Sequence, residues 1–238
     1  SQSYEAAIVN KLIADFQRGE RHSSFKKLSE FINKNPKDET ARYNFALMCE
    51  QLNYLDLAKD NYNKIIIKNS QHWKSKFNLY LIYIKEKNYE SALKLVNEVL
   101  KIKNHYQPAL RDKAVILYYL KRPDEGLPFI KESLKHNQKD FIALNTLGLI
   151  YMEMIQYNLA KKIFMEAIFV NPKYFPSYNN LGRCFEYENN RDLALANFKK
   201  ALDLNPQFTE AINNIANCYN QSGSYEKAIQ FYNKALKL

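Results

Sequence analysis

The sequence predicts an all-α protein built as a solenoid of helical hairpins, and three observations support this. A shift of 34 residues aligns the chain with itself, and a fixed period of this length is typical of solenoids. Small residues recur at the same places in each period. Only five glycines and seven prolines occur among 238 residues, which is too few for the many turns of an all-β protein. The aligned segments begin at Glu5, Glu39, Trp73, Gln107, Phe141, Phe175 and Thr209.

Each segment is predicted to contain two helices, A and B. Small side chains at the eighth and twentieth positions let the two helices approach to the near end of the usual separation of about 8 to 10 Å. Polar or turn residues lie near the middle of each segment, and Pro36, Pro172 and Pro206 stand near segment ends, where proline blocks helix continuation. The twentieth residues are Ser24, Ala58, Ala92, Gly126, Ala160, Ala194 and Ala228.

Three segments depart from the common pattern. In the first, helix A fits better when shifted by one residue, with Leu12 and Phe16 in the core. In the fourth, Pro123 stands at a predicted helix start, and Pro128, one turn further in, costs up to about 3 kcal/mol if it is interior, so we expect a weak seam there. The last segment stops within helix B and leaves an apolar stripe. We therefore expect either a continuation beyond the C-terminal helix or a homotypic contact through it.

These segments resemble tetratricopeptide repeats. The stretch "SYNNLGRCFEYENNRDLALANFKKALDLNP" carries that family's aromatic, Leu-Gly, aromatic, Ala, Phe, Ala and Pro at the family's spacings. The resemblance implies a right-handed α-solenoid of about seven hairpins, in which successive A helices line a concave groove. We predict a single solenoid domain of residues 5–238 after an N-terminal extension of residues 1–4. Its repeats would span 5–38, 39–72, 73–106, 107–140, 141–174, 175–208 and 209–238.

The family's geometry also implies which side chains point into the groove, namely positions 2, 5, 6, 9, 12 and 13 of each repeat. Asparagine recurs at position 6, the arginines are candidates for an acidic ligand, and the aromatic residues are candidate anchors or inter-repeat packing groups. The predicted groove residues are Asn44, Asn78, Asn180 and Asn214 at position 6, Tyr43, Phe77, Arg111, Asn145, Asn179 and Asn213 at position 5, Arg183 and Asn217 at position 9, and Tyr118 and Tyr187 at positions 12 and 13.

The recurring asparagines have two interpretations. An amide can pair with both the N–H and the C=O of an extended peptide, so a ladder of amides would bind peptide backbone without reading side chains. Such a ladder resembles the repeat arm of O-linked N-acetylglucosamine transferase, whose repeats follow a similar Asn-Leu-Gly pattern. Alternatively, the amides hydrogen-bond neighbouring groups in the groove wall. The Lys and Asn pair with which some of these repeats clamp a C-terminal carboxylate is absent.

The sequence therefore predicts a non-catalytic scaffold that binds an extended peptide or a partner helix of another protein in the concave groove. The alternative is the substrate-recruiting arm of a larger, glycosyltransferase-like enzyme whose catalytic domain is absent from this chain. No nucleotide-binding or nucleophile motif occurs, so we expect no catalytic residue and no cofactor. The four histidines lie mostly near turns between repeats and outside the groove, which argues against a metal site.

Charge, apolar runs and cysteines in the sequence limit the kinds of partner and compartment that we expect. The formal charge of +10 is spread over both halves of the chain, which argues against a nucleic-acid site. No apolar run is long enough to enter a membrane as a helix, and three cysteines without Cys-x-x-Cys spacing favour free thiols and the cytoplasm.

Overall fold

The computed structural model describes residues 2–238, and this part of the chain is a succession of fourteen α-helices joined by short turns. The all-α helical-repeat fold predicted from the period is confirmed. From α3 onward, each odd-numbered helix begins where a repeat was predicted to begin. The helices are α1 (Gln2–Arg18), α2 (Arg21–Lys34), α3 (Glu39–Gln51), α4 (Leu55–Lys68), α5 (Trp73–Lys85), α6 (Tyr89–Ile102), α7 (Gln107–Tyr119), α8 (Pro123–His136), α9 (Phe141–Glu153), α10 (Tyr157–Val170), α11 (Phe175–Tyr187), α12 (Arg191–Leu204), α13 (Thr209–Gln221) and α14 (Tyr225–Leu236).

The chain divides into two compact units, Ser1–Asn104 and His105–Leu238, which are described separately below as unit 1 and unit 2. The division into one domain of residues 5–238 with an extension of 1–4 stays a prediction. Ser1 lies outside the described residues, whereas helix α1 already begins at Gln2. Within the described residues, no helix is both long enough and apolar enough to cross a bilayer.

Local sequence accounts for where several helices begin. The side chains of Asp38, Asn88 and Asp140 each accept a hydrogen bond from a backbone N–H in the first turn of α3, α6 and α9. His72 does the same for α5 through Nδ1, which accepts from the Ser75 N–H. These caps satisfy backbone donors that have no partner within the helix.

Unit 1 packs its core between helix pairs α1/α2, α3/α4 and α5/α6. Leu12 and Phe16 are both buried, in agreement with the shifted register expected for the first repeat. Tyr62 and Tyr80 are buried completely. The Tyr62 hydroxyl donates a hydrogen bond to the Glu50 carboxylate. Burial is the main cause that raises the pKa of Tyr62, and the hydrogen bond to Glu50 raises it further.

Unit 2 packs α7/α8, α9/α10, α11/α12 and α13/α14 in the same way. Its small residues permit close helix approach: a Cβ at Gly182 would lie 2.7 Å from the ring of Phe198, which is itself buried. A Cβ at Gly148 would lie 2.5 Å from the ring of Phe164. At Gly148 and Gly182, the eighth position therefore accommodates the aromatic ring of the following B helix.

Helix α8 runs unbroken from Pro123 to His136 even though Pro128 lies inside it. Proline has no N–H, so the Asp124 carbonyl receives no hydrogen bond from residue 128. The weak seam expected at this helix stays a prediction. The buried face of α8 is supplied by Gly126, Ile130 and Ser133.

All three cysteines are free and buried. Burial is the largest effect on each thiol, and it raises the pKa of Cys184 and Cys218 to about 11 and that of Cys49 to about 12. A raised pKa lowers the thiolate fraction at neutral pH, so these side chains act as small packing groups.

Candidate functional site

The A helices of unit 2 place the predicted groove residues next to one another. Besides packing on its own B helix, α7 contacts α9, and α9 contacts α11. We use the name A-helix face for the surface formed by positions 2, 5, 6, 9, 12 and 13 of α7, α9, α11 and α13. The predicted groove residues from Arg111 to Asn217 lie on these four helices, and Tyr43, Asn44, Phe77 and Asn78 lie on α3 and α5 of unit 1.

Hydrogen bonds between successive repeats orient the amides at position 6. In unit 2, Asn180 Nδ2 donates to Asn145 Oδ1 at 3.1 Å, and Asn214 Nδ2 donates to Asn179 Oδ1 at 2.9 Å. Each bond joins position 6 of one repeat to position 5 of the repeat before it. The same rule holds in unit 1, where Asn78 Nδ2 donates to the Tyr43 hydroxyl at 3.0 Å.

Asn145, Asn179, Asn180 and Asn214, which we call the asparagine cluster, are largely enclosed. The relative exposure of Asn145, Asn179 and Asn180 is only 5% to 7%. Asn145 Oδ1 also accepts a hydrogen bond from Ser177 Oγ at 3.0 Å. The amides thus hydrogen-bond neighbouring repeats, as the second interpretation of the sequence pattern expected. Each amide nitrogen carries two hydrogens, so Asn180 and Asn214 keep a second N–H and an Oδ1 outside these bonds.

The other predicted asparagines are arranged differently. Asn44 Nδ2 donates to the Thr40 carbonyl of its own helix at 2.9 Å. Asn217 Oδ1 accepts from the Tyr232 hydroxyl at 2.6 Å, and Asn213 is exposed at the position 5 of the last repeat. The asparagine side chains at position 6 therefore do not form one uniform row of amides along the repeats.

The two predicted arginines differ in their surroundings. Arg111 contacts Asp112 Oδ1 through Nε and Nη2, both at 3.0 Å, and Asp140 Oδ2 through Nη1 at 3.2 Å. Its guanidinium is therefore already engaged by carboxylates of unit 2. Arg183 is half-buried on α11 and makes no ion pair with the carboxylates of the described residues. Of the two, Arg183 is the better placed to meet an acidic group.

The predicted aromatic anchors are partly used in packing. Phe77 packs edge-on against Tyr80 at 5.0 Å between ring centroids, and Tyr43 lies 5.9 Å from Tyr62. Tyr187 is 56% exposed and stacks on Tyr157 at 4.4 Å.

Tyr118 is half-buried beside its neighbour Tyr119, with ring centroids 5.3 Å apart. Burial is the main cause that raises the pKa of the Tyr118 hydroxyl, with a smaller contribution from Glu153. Tyr118 and Tyr187 therefore offer surface to a ligand while they also pack.

A second group of side chains was missed by the sequence argument. The ligand atoms of His105, Glu132 and His136 all lie within 4.8 Å of one another. The expectation of no metal site rested on where the histidines lie, but Glu132 precedes His136 by one helical turn. That spacing was readable from the sequence. The approach of His105 was not, because it depends on how successive repeats stack.

Comparison with known proteins places these observations in a family. The family model described as "Psidin, N-terminal TPR repeats region" matches residues 77–200, and the model described as "Tetratricopeptide repeat" matches residues 209–238. Protein O-mannosyl-transferase Tmtc3 of Drosophila melanogaster is 25% identical over 96 residues, or 40% of this chain. The match spans only 10% of that protein's length.

Solved structures share the fold at low sequence identity. A tetratricopeptide repeat protein from Parabacteroides merdae has a TM-score of 0.84 at 18% identity, covering 100% of this chain and 93% of its own. YrrB, described as a TPR protein with an unusual peptide-binding site, has a TM-score of 0.62 at 22% identity, covering 78% of this chain and 95% of its own. Because the Psidin repeat model alone matches more than half of the residues, the chain belongs to the tetratricopeptide repeat family.

Proposed function

We propose that the protein is a non-catalytic scaffold that binds an extended peptide segment of a partner protein on the A-helix face of unit 2. The observation that carries the proposal is the pair of inter-repeat bonds that orient Asn180 and Asn214. Amides held in this way lose little further freedom when a ligand binds, which lowers the entropic cost of association. The protein-interaction role typical of the tetratricopeptide fold agrees with this assignment.

Backbone recognition alone gives weak binding. A hydrogen bond exchanged with water contributes about 0.5 to 1.5 kcal/mol, whereas association costs on the order of 4 to 15 kcal/mol. Side-chain contacts must supply the rest, and Arg183, Tyr118 and Tyr187 are the groups that this face offers. Glu186 lies close enough to Arg183 to interact with it electrostatically, but no carboxylate of the described residues forms a direct ion pair with this guanidinium. A guanidinium in this state favours a peptide that carries Asp, Glu or a C-terminal carboxylate.

A peptide array followed by fluorescence anisotropy tests the proposal. An array of extended peptides with and without acidic residues identifies binders, and the double variant Asn180→Ala/Asn214→Ala is then titrated with several of them. We expect binding to weaken about tenfold for every peptide, because the lost bonds go to peptide backbone. Arg183→Ala is expected to weaken only the acidic peptides.

The controls separate binding from folding. Asn197 lies on the B helix α12, and within residues 2–238 its amide donates only to the Leu193 carbonyl of its own helix. Asn197→Ala should therefore leave affinity unchanged. Asn213→Ala tests an exposed member of the same face without removing an inter-repeat bond. Unchanged affinity in Asn180→Ala/Asn214→Ala and in Asn213→Ala, with helicity preserved by circular dichroism, would refute backbone recognition by this face.

The similarity to an O-mannosyl-transferase favours a second candidate, a substrate-recruiting arm of a larger transferase. The same peptide-binding face would then present a substrate segment to a catalytic domain elsewhere in the protein. An antibody raised against residues 105–238 distinguishes the two by the mass of the native protein that it detects. A band near the 28.1 kDa of this chain supports the separate scaffold, and a much larger one supports the arm.

Two further assignments go with the proposal. The three free buried cysteines favour a reducing compartment, and the cytoplasm is the one we propose.

On α14, Ile229 and Leu236 are 58% and 85% exposed, and we propose this surface as the site of a homotypic or interdomain contact.

A further inference from the structure

We propose that His105, Glu132 and His136 form a binding site for a late first-row transition-metal ion, with Zn²⁺ as the expected occupant. The site lies within unit 2 and away from the A-helix face. His105 belongs to the turn before α7, whereas Glu132 and His136 stand one turn apart at the end of α8. Nothing in the proposed peptide binding uses these side chains.

The geometry is close to what such an ion requires. His136 Nε2 lies 3.6 Å from Glu132 Oε1, and the His105 and His136 rings are 5.9 Å apart between centroids. A tetrahedral Zn²⁺ with ligands at about 2.0 to 2.1 Å holds its donor atoms about 3.3 Å apart. Atoms that already lie within 4.8 Å need only side-chain rotation to reach that spacing.

The donor set selects the class of metal. Two imidazole nitrogens and one carboxylate oxygen suit Zn²⁺, Ni²⁺, Cu²⁺ or Co²⁺, whereas Ca²⁺ and Mg²⁺ prefer oxygen ligands throughout. Three protein ligands leave a fourth position for water. Both histidines are exposed, so the site can be reached from solvent.

The surrounding structure holds the two sides of the site in place. Next to the site, Gln107 Nε2 donates to the buried Ser133 Oγ at 3.0 Å, and Ser133 Oγ donates to the Gln107 carbonyl at 3.3 Å. These bonds tie the start of α7 to the last turns of α8. The carbonyls at the C-terminal end of α8 also favour a nearby cation. A bound metal would therefore join two segments that hydrogen bonds already hold next to each other.

Lys135 competes with the metal for Glu132. Its ammonium lies 2.8 Å from Glu132 Oε2, while Oε1 faces His136. The carboxylate can thus offer one oxygen to the metal and keep the other on the lysine, at the cost of a nearby positive charge. Removal of Lys135 should strengthen metal binding.

Isothermal titration calorimetry of the tag-free full chain with ZnCl₂ tests the site. We expect one saturable Zn²⁺ per chain and a melting temperature that rises with Zn²⁺, because the metal binds the folded state. Loss of a residue that only hydrogen-bonds a metal ligand commonly lowers metal affinity by about 10- to 100-fold. Loss of a ligand itself, in His105→Ala or His136→Ala, should therefore weaken Zn²⁺ binding by at least about tenfold. Lys135→Ala should bind Zn²⁺ more tightly.

His22→Ala is the matched control, since His22 is an exposed histidine on α2 of unit 1. The three cysteines are buried and do not compete for the metal. Absence of saturable binding, or binding that survives in both His105→Ala and His136→Ala, would overturn the proposal, as would weaker binding in Lys135→Ala. Because none of these variants touches the A-helix face, peptide binding should persist whether the metal site is real or not.

Discussion

One residue in each A-to-B turn adopts the left-handed backbone conformation. Glycine fills this place only at the first and last of these turns, and the other five residues accept positive φ with a side chain attached. Left-handed backbone costs a residue with a Cβ roughly 1 to 2 kcal/mol, and a β-branched residue is the least suited to it. The residues are Gly19, Asn53, Lys87, Lys121, Ile155, Asn189 and Gly223.

Ile155→Gly is expected to stabilise the protein by about 1 kcal/mol, because φ of 61° at an isoleucine is strained and the side chain is 74% exposed. Little apolar burial is lost in the exchange. Urea denaturation followed by circular dichroism measures the change. Ile229→Gly provides the control: Ile229 is exposed on helix α14, where glycine should lower stability by a similar amount. A lower midpoint for Ile155→Gly would show that the strain is absent.

The site residues show where prediction from sequence reaches its limit. A recurring asparagine at position 6 follows directly from the 34-residue period. Which atom each amide contacts does not. Asn78, Asn180 and Asn214 donate to the preceding repeat, at the Tyr43 hydroxyl, Asn145 and Asn179, whereas Asn44 donates to the Thr40 carbonyl of its own helix. Likewise, the sequence marks Arg111 and Arg183 as equivalent candidates, and only the packing reveals that Asp112 and Asp140 engage the first.

Among the elements, Asp140 joins two helices of unit 2, α7 and α9. It caps α9 by accepting from the Ile142 and Ala143 N–H groups, both at 3.0 Å, and it accepts from Gln107 Nε2 at the start of α7 at 2.8 Å. Burial opposes the charged form, but the hydrogen bonds from Ala143, Gln107 and Arg111 prevail and lower the pKa of the carboxyl. Its ionised form therefore stabilises the fold.

Asp140→Asn should reduce stability at neutral pH by about 1 kcal/mol, because asparagine preserves the cap but loses the charge. A lowered folded-state pKa means that the contribution is complete above the unfolded-state pKa, near 3.9, and is lost as the pH falls through the folded-state value. The difference between variant and parent should therefore shrink below about pH 4. Urea midpoints at pH 7, 5 and 3 measure it.

The control for this prediction is Asp192→Asn, which removes the same formal charge from an exposed residue in the first turn of α12. It separates the network around Asp140 from a change in net charge. A difference between Asp140→Asn and its parent that stayed constant from pH 7 to pH 3 would contradict the role given to the carboxylate.

Element boundaries were predictable from sequence wherever composition and period agreed. Helices α3, α5, α7, α9, α11 and α13 begin at the expected residues, because caps, prolines and small residues recur in phase. The ends of the chain and α8 were harder. Pro128 alone would suggest a break, yet α8 continues, since Gly126, Ile130 and Ser133 are buried against the neighbouring helices.

At the scale of the whole molecule, positive charge is abundant but dispersed. Residues 1–106 contain 18 basic and 12 acidic side chains, and residues 107–238 contain 17 and 13. Many lysines pair locally: Lys59 lies 2.7 Å from Glu86, and Lys121 lies 3.0 Å from Glu153. We therefore expect long-range attraction to polyanions to depend on net charge rather than on one basic surface.

Binding to single-stranded RNA should accordingly be weak, with a dissociation constant of about 100 µM or more at physiological salt and a shallow salt dependence. Fluorescence anisotropy with a labelled oligonucleotide between 50 and 200 mM salt measures both. Two matched variants locate any residual affinity: Lys26→Ala/Lys27→Ala in unit 1 and Lys234→Ala/Lys237→Ala in unit 2 each remove two exposed lysines. Equal small losses agree with dispersed charge. If one pair abolished binding while the other had no effect, a localised nucleic-acid site would exist, and the scaffold would have a second class of ligand.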